Sequence, residues 1–373
     1  MKYWRGYLVA AILAACTWGF REFAQTHSKL VDMIYPYVTR LVQNFMAGWS
    51  SGVTFCLWQA ILLALIAVGV ATIVLMIVFK WNPIQWFGWV LSVVALISLL
   101  HTGVFGMNEF AGPIAEDIRL SETQYTDDAL EAAAVYYRDM ANALSDAGTA
   151  ADLAALNAQA VNGFENLVYE EYFSVFAGTT TPVKELGMAD WFTKRGEMGY
   201  TVAITGEAAI NPEAPLFMQP YAVCREMCYR MSIASARDKH FGAFLACQAN
   251  EAAEFQYAGY VMAYRYCLKA LPQSVASIVN AQANTRLRED VEAWNDFVAP
   301  AENLTAEKAE KEGLKDETDR EIAKLLVRWH HQEVVIPSIT EPEVTFDPMD
   351  ETQVDLTGLP HVPTPTEPTE AAA

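Results

Sequence analysis

Apolar residues follow two different rhythms along this chain. Over roughly the first hundred positions they come in unbroken runs, and beyond about residue 125 they recur every three to four positions. Two runs, about Val53–Phe79 and Ile84–Phe105, contain no Asp, Glu, Lys or Arg. Each is as long as the roughly 20 apolar residues a helix needs to cross a hydrocarbon core. Lys80-Trp81-Asn82-Pro83 is the turn between them, so the two runs read as a transmembrane hairpin. Trp81, Trp86 and Trp89 fit the aromatic belt at the membrane–water interface. A shorter run, about Trp4–Phe20, follows Lys2 and Arg5 and is read as a third span. The opposing reading is a lipoprotein signal, because Leu13-Ala14-Ala15-Cys16 resembles a cleavage box; against it, Trp18-Gly19-Phe20 keeps the run apolar past the cysteine. Residues 21–52 read as the connecting loop.

The periodic part predicts a mainly helical domain. Helices are expected at about Thr126–Asp146, Ala150–Phe173, Pro220–Ser232, Ala236–Asn250, Glu251–Leu271, Ser274–Phe297 and Ala306–Trp329. Gly199–Ile204 is rich in β-branched and aromatic residues and reads as a strand, with Ala208–Asn211 as a second, edge strand. Past Pro337 the chain is rich in Pro, Thr and Glu without period, which predicts a disordered acidic tail. The expected organisation is a membrane region 1–105, a soluble domain 106–335 and a tail 336–373.

Charge divides the chain at the same place. Residues 1–105 carry six Lys/Arg and two Asp/Glu, a net of +4, and the remainder carries −24, giving the total of −20. So acidic a domain excludes nucleic acid as a partner, since phosphate binding needs a basic surface. Lys2, Arg5 and Lys80 mark the cytoplasmic side, which places the soluble domain outside the cell membrane; Arg21, Lys29 and Arg40 in the 21–52 loop count against that orientation. Of the six cysteines, Cys16 and Cys56 fall in spans. Cys224, Cys228, Cys247 and Cys267 lie at helical spacings, unlike a disulfide framework.

The chemistry-bearing stretch is Cys224-Arg225-Glu226-Met227-Cys228-Tyr229-Arg230. A zinc-peptidase helix presents His-Glu-x-x-His, two imidazoles one turn apart with a glutamate that activates the metal-bound water. Here Glu226 stands at the glutamate position, and Arg225 and Tyr229 stand where the histidines would be.

Several further pieces carry a resemblance to a known family. Tyr35-Pro36-Tyr37 lies between the first two spans and Phe105-Gly106-Met107-Asn108 follows the third. Thr205-Gly206-Glu207-Ala208 and Asn211 precede the motif helix; Phe241-x-Ala243-Phe244-Leu245-Ala246-Cys247 and Phe255-Gln256-Tyr257-Ala258-Gly259-Tyr260 follow it. In that order, over roughly residues 30–272, the chain resembles a bacterial family of multi-pass membrane proteins, a domain of unknown function with a zincin-like extracytoplasmic domain. The resemblance implies a mainly α membrane protein: three N-terminal transmembrane helices, then a mainly helical zincin-like domain with a small strand region. It also implies that Arg225 and Tyr229 occupy the two histidine positions, Glu226 the catalytic glutamate and Asp238 the third metal ligand. Arginine cannot shed its proton to bind a metal, and a tyrosine must ionise from near pH 10 to do so.

These residues lead to the expectation of a catalytically inactive, pseudo-metallopeptidase domain that binds a peptide or protein partner at the old cleft. No cofactor is expected and zinc is disfavoured. The docking edge would be the strand carrying Tyr200, Val202 and Ile204, because zincins bind substrate by strand addition. Arg225 is expected to pair with Asp238 in place of the ion, with Tyr229 lining the same pocket. Cys224 and Cys228 with Asp238 or His240 offer a displaced metal site, against the plainer reading of two core thiols. The alternatives are an active membrane metallopeptidase with substituted ligands and a purely structural membrane protein.

Overall fold

A computed structural model of the chain describes residues 4–148, 152–311 and 318–337. The helices in chain order are α1 (Arg5–Thr26), α2 (Ser28–Ser50), α3 (Leu57–Val78), α4 (Pro83–Val104), α5 (Ile114–Asp117), α6 (Asp127–Ala143), α7 (Leu153–Tyr169), α8 (Ala189–Thr193), α9 (Gln219–Arg230), α10 (Ala236–Gln248), α11 (Ala253–Ala270), α12 (Gln273–Ala281), α13 (Thr285–Lys311) and α14 (Thr318–His330). The strands are β1 (Lys184–Glu185), β2 (Gly199–Val202) and β3 (Glu207–Ile210). The chain is thus mainly helical with a small sheet. Three of its helices, α1, α3 and α4, are long and apolar enough to cross a membrane, which points to membrane association.

The spans have a definite relative direction. Ser92 Oγ donates to Gly6 O over 2.6 Å, and Arg21 meets Glu109 at 3.1 Å at the far end. Low residue numbers of α1 therefore lie beside the start of α4 and high numbers beside its end, so the two helices are parallel. A Cβ on Gly6 would lie 2.5 Å from Gly88 C, so glycine is what lets the two backbones approach. The turn after α3 is held by Asn82, whose side chain accepts from Ile84 N and Gln85 N and caps α4.

The 21–52 segment is not a loop. After a break at His27 it forms α2, a 23-residue helix through Pro36, docked on the soluble domain. Arg40 donates to Met231 O (3.2 Å) and Ser174 O (3.1 Å), Gln43 to Ala203 O (2.9 Å), and Ser232 Oγ to Pro36 O (3.1 Å).

The sheet order is β1-β3-β2, with β1 parallel and β2 antiparallel to β3. This corrects the sequence reading twice. The strand from Gly199 ends at Val202, and Ala203–Gly206 turn the chain with Gly206 at positive φ, so Ile204 lies in a turn. The second strand is the central one, and Gly199–Val202 is the edge. The sheet is fastened to the top of α3: buried Glu207 accepts from Leu57 N (2.7 Å) and Trp58 N (2.8 Å) and pairs with Lys184 at 2.6 Å. A carboxylate at a helix N-terminus satisfies unpaired amides and complements the helix dipole.

In the domain core most of α9 is enclosed, with Tyr221, Ala222, Val223, Cys224, Met227 and Cys228 fully buried among α7, α10, α11 and the sheet. The Tyr-rich stretch of α11 packs there too, with Tyr257, Tyr260, Tyr264 and Tyr266 buried. The helix expected at Ser274–Phe297 is two, α12 and α13. The one expected at Ala306–Trp329 crosses residues outside the described ones, and the acidic tail lies outside them from residue 338.

Candidate functional site

The motif helix α9 presents Arg225, Glu226 and Tyr229 to a cavity of about 190 Å³, whose other walls are Glu197, Gly199, Tyr200, Thr201 and Lys239. The edge strand β2 thus forms one side of the cleft and α9 the other. Glu226 is 2% exposed. It pairs with Nη1 of its neighbour Arg225, and Thr201 Oγ1 donates to it over 2.6 Å. Gly199 is required here: a Cβ would lie 2.8 Å from Glu226 Cγ and 2.9 Å from Ala209 O.

Arg225 does not pair with Asp238. Its Nε donates to His240 Nε2 at 3.2 Å and its Nη1 holds Glu226. Since arginine only donates, His240 Nε2 must be the accepting, unprotonated nitrogen, which leaves the ring proton on Nδ1. Nδ1 lies 2.9 Å from the Tyr221 hydroxyl and 3.0 Å from that of Tyr266. Burial, then Arg225, Lys239 and Arg265, push His240 well below its usual range, so the imidazole stays neutral. Asp238 sits at the start of α10, where Ser235 Oγ accepts from its amide (3.0 Å) and Arg237 pairs with its carboxylate (2.8 Å). It lines a different cavity, of about 320 Å³, between α2 and the domain.

The cation that does converge with Arg225 on the cleft is Lys239. Its Nζ lies 4.8 Å from the centre of the Tyr229 ring, within cation–π reach. Burial and the repulsion of Arg225 push its amine down to about 8, while Glu226 and Glu197 pull the other way. The Glu197 carboxyl is raised by burial and by Glu226, against the pull of Arg225. Burial raises the Tyr229 phenol, with Glu109, Tyr200 and Glu226 adding to it. Two cations and two carboxylates thus face one another in the cleft. Behind it, Arg230 is fully buried: its Nη2 bonds Thr181 O, its Nε and Nη1 have no hydrogen-bond partner, and burial pushes it down to about 10.

Arg225, Glu226 and Tyr229 therefore meet as the sequence suggested, with Tyr200 beside them; Val202, Ile204 and Asp238 do not line this cavity. Cys224 and Cys228 are fully buried free thiols whose ionisation burial opposes strongly. Among the described residues no group of three or more His, Cys, Asp or Glu side chains is placed to hold a metal ion. Sequence reasoning missed Lys239, Glu197 and Thr201 as cleft residues, and it named His240 only as a ligand of a displaced metal site, whereas His240 backs Arg225. Lys239 carried a usable signal, since it follows the counted ligand position directly.

The cleft lies close to the spans. Tyr229 stacks on Phe105, just past the end of α4, at 4.2 Å between ring centres, and Tyr200 meets Trp58 of α3 at 5.6 Å. Apolar span-length helices joined to a helical domain with a charged cleft point to a membrane-associated protein of mixed architecture. Over residues 31–312 the chain matches the family described as "Protein of unknown function (DUF3810)", and it belongs to that family. No curated protein and no solved structure matches the chain.

Proposed function

We propose that this chain is a membrane-anchored, zincin-like protein that has exchanged metal-dependent cleavage for binding of an extended peptide or protein segment. The carrying observation is the pair of cations, Arg225 and Lys239, facing Glu226 and Glu197 in a cleft bounded by an edge strand. A metallopeptidase cleft needs a metal ion beside its catalytic glutamate. Here the position before Glu226 holds a guanidinium with no lone pair, and the position after the next turn holds a phenol whose ionisation burial opposes. Asp238, the third ligand that the resemblance implies, is engaged by Arg237 elsewhere. These residues do not fit zinc. A carboxylate without a metal to acidify water is a poor peptidase, while an unpaired strand edge can still accept a peptide.

The domain is placed outside the cell on the same reading. With α1 and α4 parallel spans, Arg5 and Lys80 share one side and the domain lies on the other, an arrangement the preference for basic residues inside supports. Of the three basic residues that count against this, Arg21, Lys29 and Arg40, Arg40 serves the domain by binding two of its carbonyls and Arg21 pairs with Glu109.

The test is a fluorescence binding assay on full-length protein in detergent, using a set of extended synthetic peptides. Saturable binding is expected, retained in Glu226→Gln and lost in Tyr200→Pro, with every peptide recovered intact. Peptide cleavage abolished by Glu226→Gln would return the protein to the metallopeptidases. Failure of every peptide to bind would favour a purely structural role.

A further inference from the structure

We propose that α2 is an interfacial helix that lies in the plane of the bilayer and seats the domain, cleft downward, on the lipid surface. This rests on the membrane association of α1, α3 and α4 and is independent of what the cleft binds.

The direction of the spans settles what α2 cannot be. α1 and α4 run parallel, and α3 and α4 form a hairpin about Lys80–Asn82. The end of α1 and the start of α3 are therefore on the same side of the membrane. α2 joins those two ends, so it does not cross. Its 23 residues, about 35 Å of helix, are spent on one side, which is also the side of the domain.

One face of α2 belongs to the domain, where Thr39, Gln43, Ala47 and Ser50 are buried. The opposite face carries Leu30, Met33, Ile34, Tyr37, Val38, Leu41, Phe45 and Trp49, all exposed. Their spacing of three and four residues draws one stripe along the whole helix. Leu41 and Phe45 are each 71% exposed and Trp49 66%. A stripe of large side chains this long is not left in water by a stable protein.

The occupant is identified by continuity. The helix that carries the stripe is separated from α1, a span, by His27 alone, and residues 51–56 join it to α3, another span. Trp49 and Tyr37 are residues of the headgroup level, and a helix with one apolar and one polar face settles about 5–10 Å into that boundary. The consequence for the cleft follows from its neighbours. Tyr229 rests on Phe105 at the end of α4, and Tyr200 on Trp58 at the start of α3. With α2 on the surface, the mouth of the cleft stands beside the headgroups.

Electron paramagnetic resonance on full-length protein in lipid vesicles tests this, with spin labels at Met33→Cys, Leu41→Cys and Phe45→Cys in a Cys16→Ser background. A label at Ile73→Cys of α3 reports on the spans themselves. The proposal expects all three α2 labels to be relaxed more by oxygen than by a water-soluble nickel complex. Their depths should agree within about 5 Å, where an upright helix would spread Met33 and Phe45 over about 18 Å. Nickel-dominated relaxation at α2 with lipid-like relaxation at Ile73 would overturn the proposal while leaving the spans standing. Exclusion of both relaxants with dipolar broadening would overturn it in favour of a second copy of the chain. Nickel-dominated relaxation at Ile73 would overturn both. The labelled positions are exposed, and a melting temperature equal to that of the unlabelled protein confirms folding.

Discussion

Removing the guanidinium of Arg225 should strand a buried carboxylate. Glu226 is 2% exposed, and its ion-pair partner is Arg225, with Thr201 donating at 2.6 Å. Arg225 itself is well enclosed, its side chain 16% exposed. Breaking a buried pair by deleting one partner costs about 3–5 kcal/mol, because the remaining charge keeps its desolvation penalty. The Thr201 hydroxyl and the nearby Lys239 ammonium remain, so Arg225→Ala belongs at the lower end, about 3 kcal/mol. For a domain of this size that is a fall of roughly 6–12 °C in melting temperature, measured by differential scanning fluorimetry of the detergent-solubilised protein. Neutralising the survivor should recover much of the loss. In a double-mutant cycle with Glu226→Gln, a coupling of about 1.5 kcal/mol or more is expected. A loss below about 1 kcal/mol, with the two changes additive, would refute the reasoning.

Acylation of Lys239 should show a reaction midpoint near 8; a midpoint near 10 by mass spectrometry contradicts its placement. Its folded pKa lies below the unfolded value, so the unfolded chain holds this proton longer, and stability should rise between pH 8 and 10.5 relative to Lys239→Met. Gly199→Ala would press a methyl against Glu226 and the β3 backbone, and Gly6→Leu would force α1 from α4; overpacking of this kind costs about 1–3 kcal/mol, read as lower melting temperatures. Asp117 is raised to about 6 by burial and by Asp32, so its contribution is present in acid and lost as pH rises through 6. Asp117→Asn should flatten the stability profile across that range; an unchanged slope would contradict it.

How much of this was legible in the sequence differs from element to element. The hairpin α3–α4 was legible because nothing charged interrupts it, and α9 to α11 because their apolar positions recur at helical spacing. α2 was not recognised. Lys29, Asp32, Pro36 and Arg40 punctuate it like a loop, although its stripe from Leu30 to Trp49 holds a helical period throughout. Two of these residues serve the domain: Asp32 Oδ1 accepts from Gly112 N at 2.7 Å, and Arg40 binds two carbonyls. In the cleft, counting along the chain reached the right helix but the wrong face. Asp238 is a first-turn residue of α10, and one further step of 100° brings Lys239 round to Tyr229. That phase depends on how Met231–Ser235 turn, with Ser232 at positive φ, and residue spacing does not encode it. Ile204 was misjudged because its β-branched character carried the strand right up to the turn at Gly206, which in fact begins at Ala203; the close approach of Gly206 to Met46 and Ala47 of α2 leaves no room for a side chain.

The central claim, that arginine and lysine side chains supply the positive charge of this cleft, is tested most directly by the zinc content of the full-length protein. The protein would be expressed with zinc in the medium, purified without chelator, dialysed and measured by inductively coupled plasma mass spectrometry. The account predicts less than about 0.1 zinc per chain, since the cleft residues do not supply the three protein ligands of a catalytic site. It also predicts no gain in the Arg225→His, Tyr229→His double variant as long as Lys239 remains. About one zinc per chain surviving dialysis, and lost on Tyr229→Phe, would contradict it.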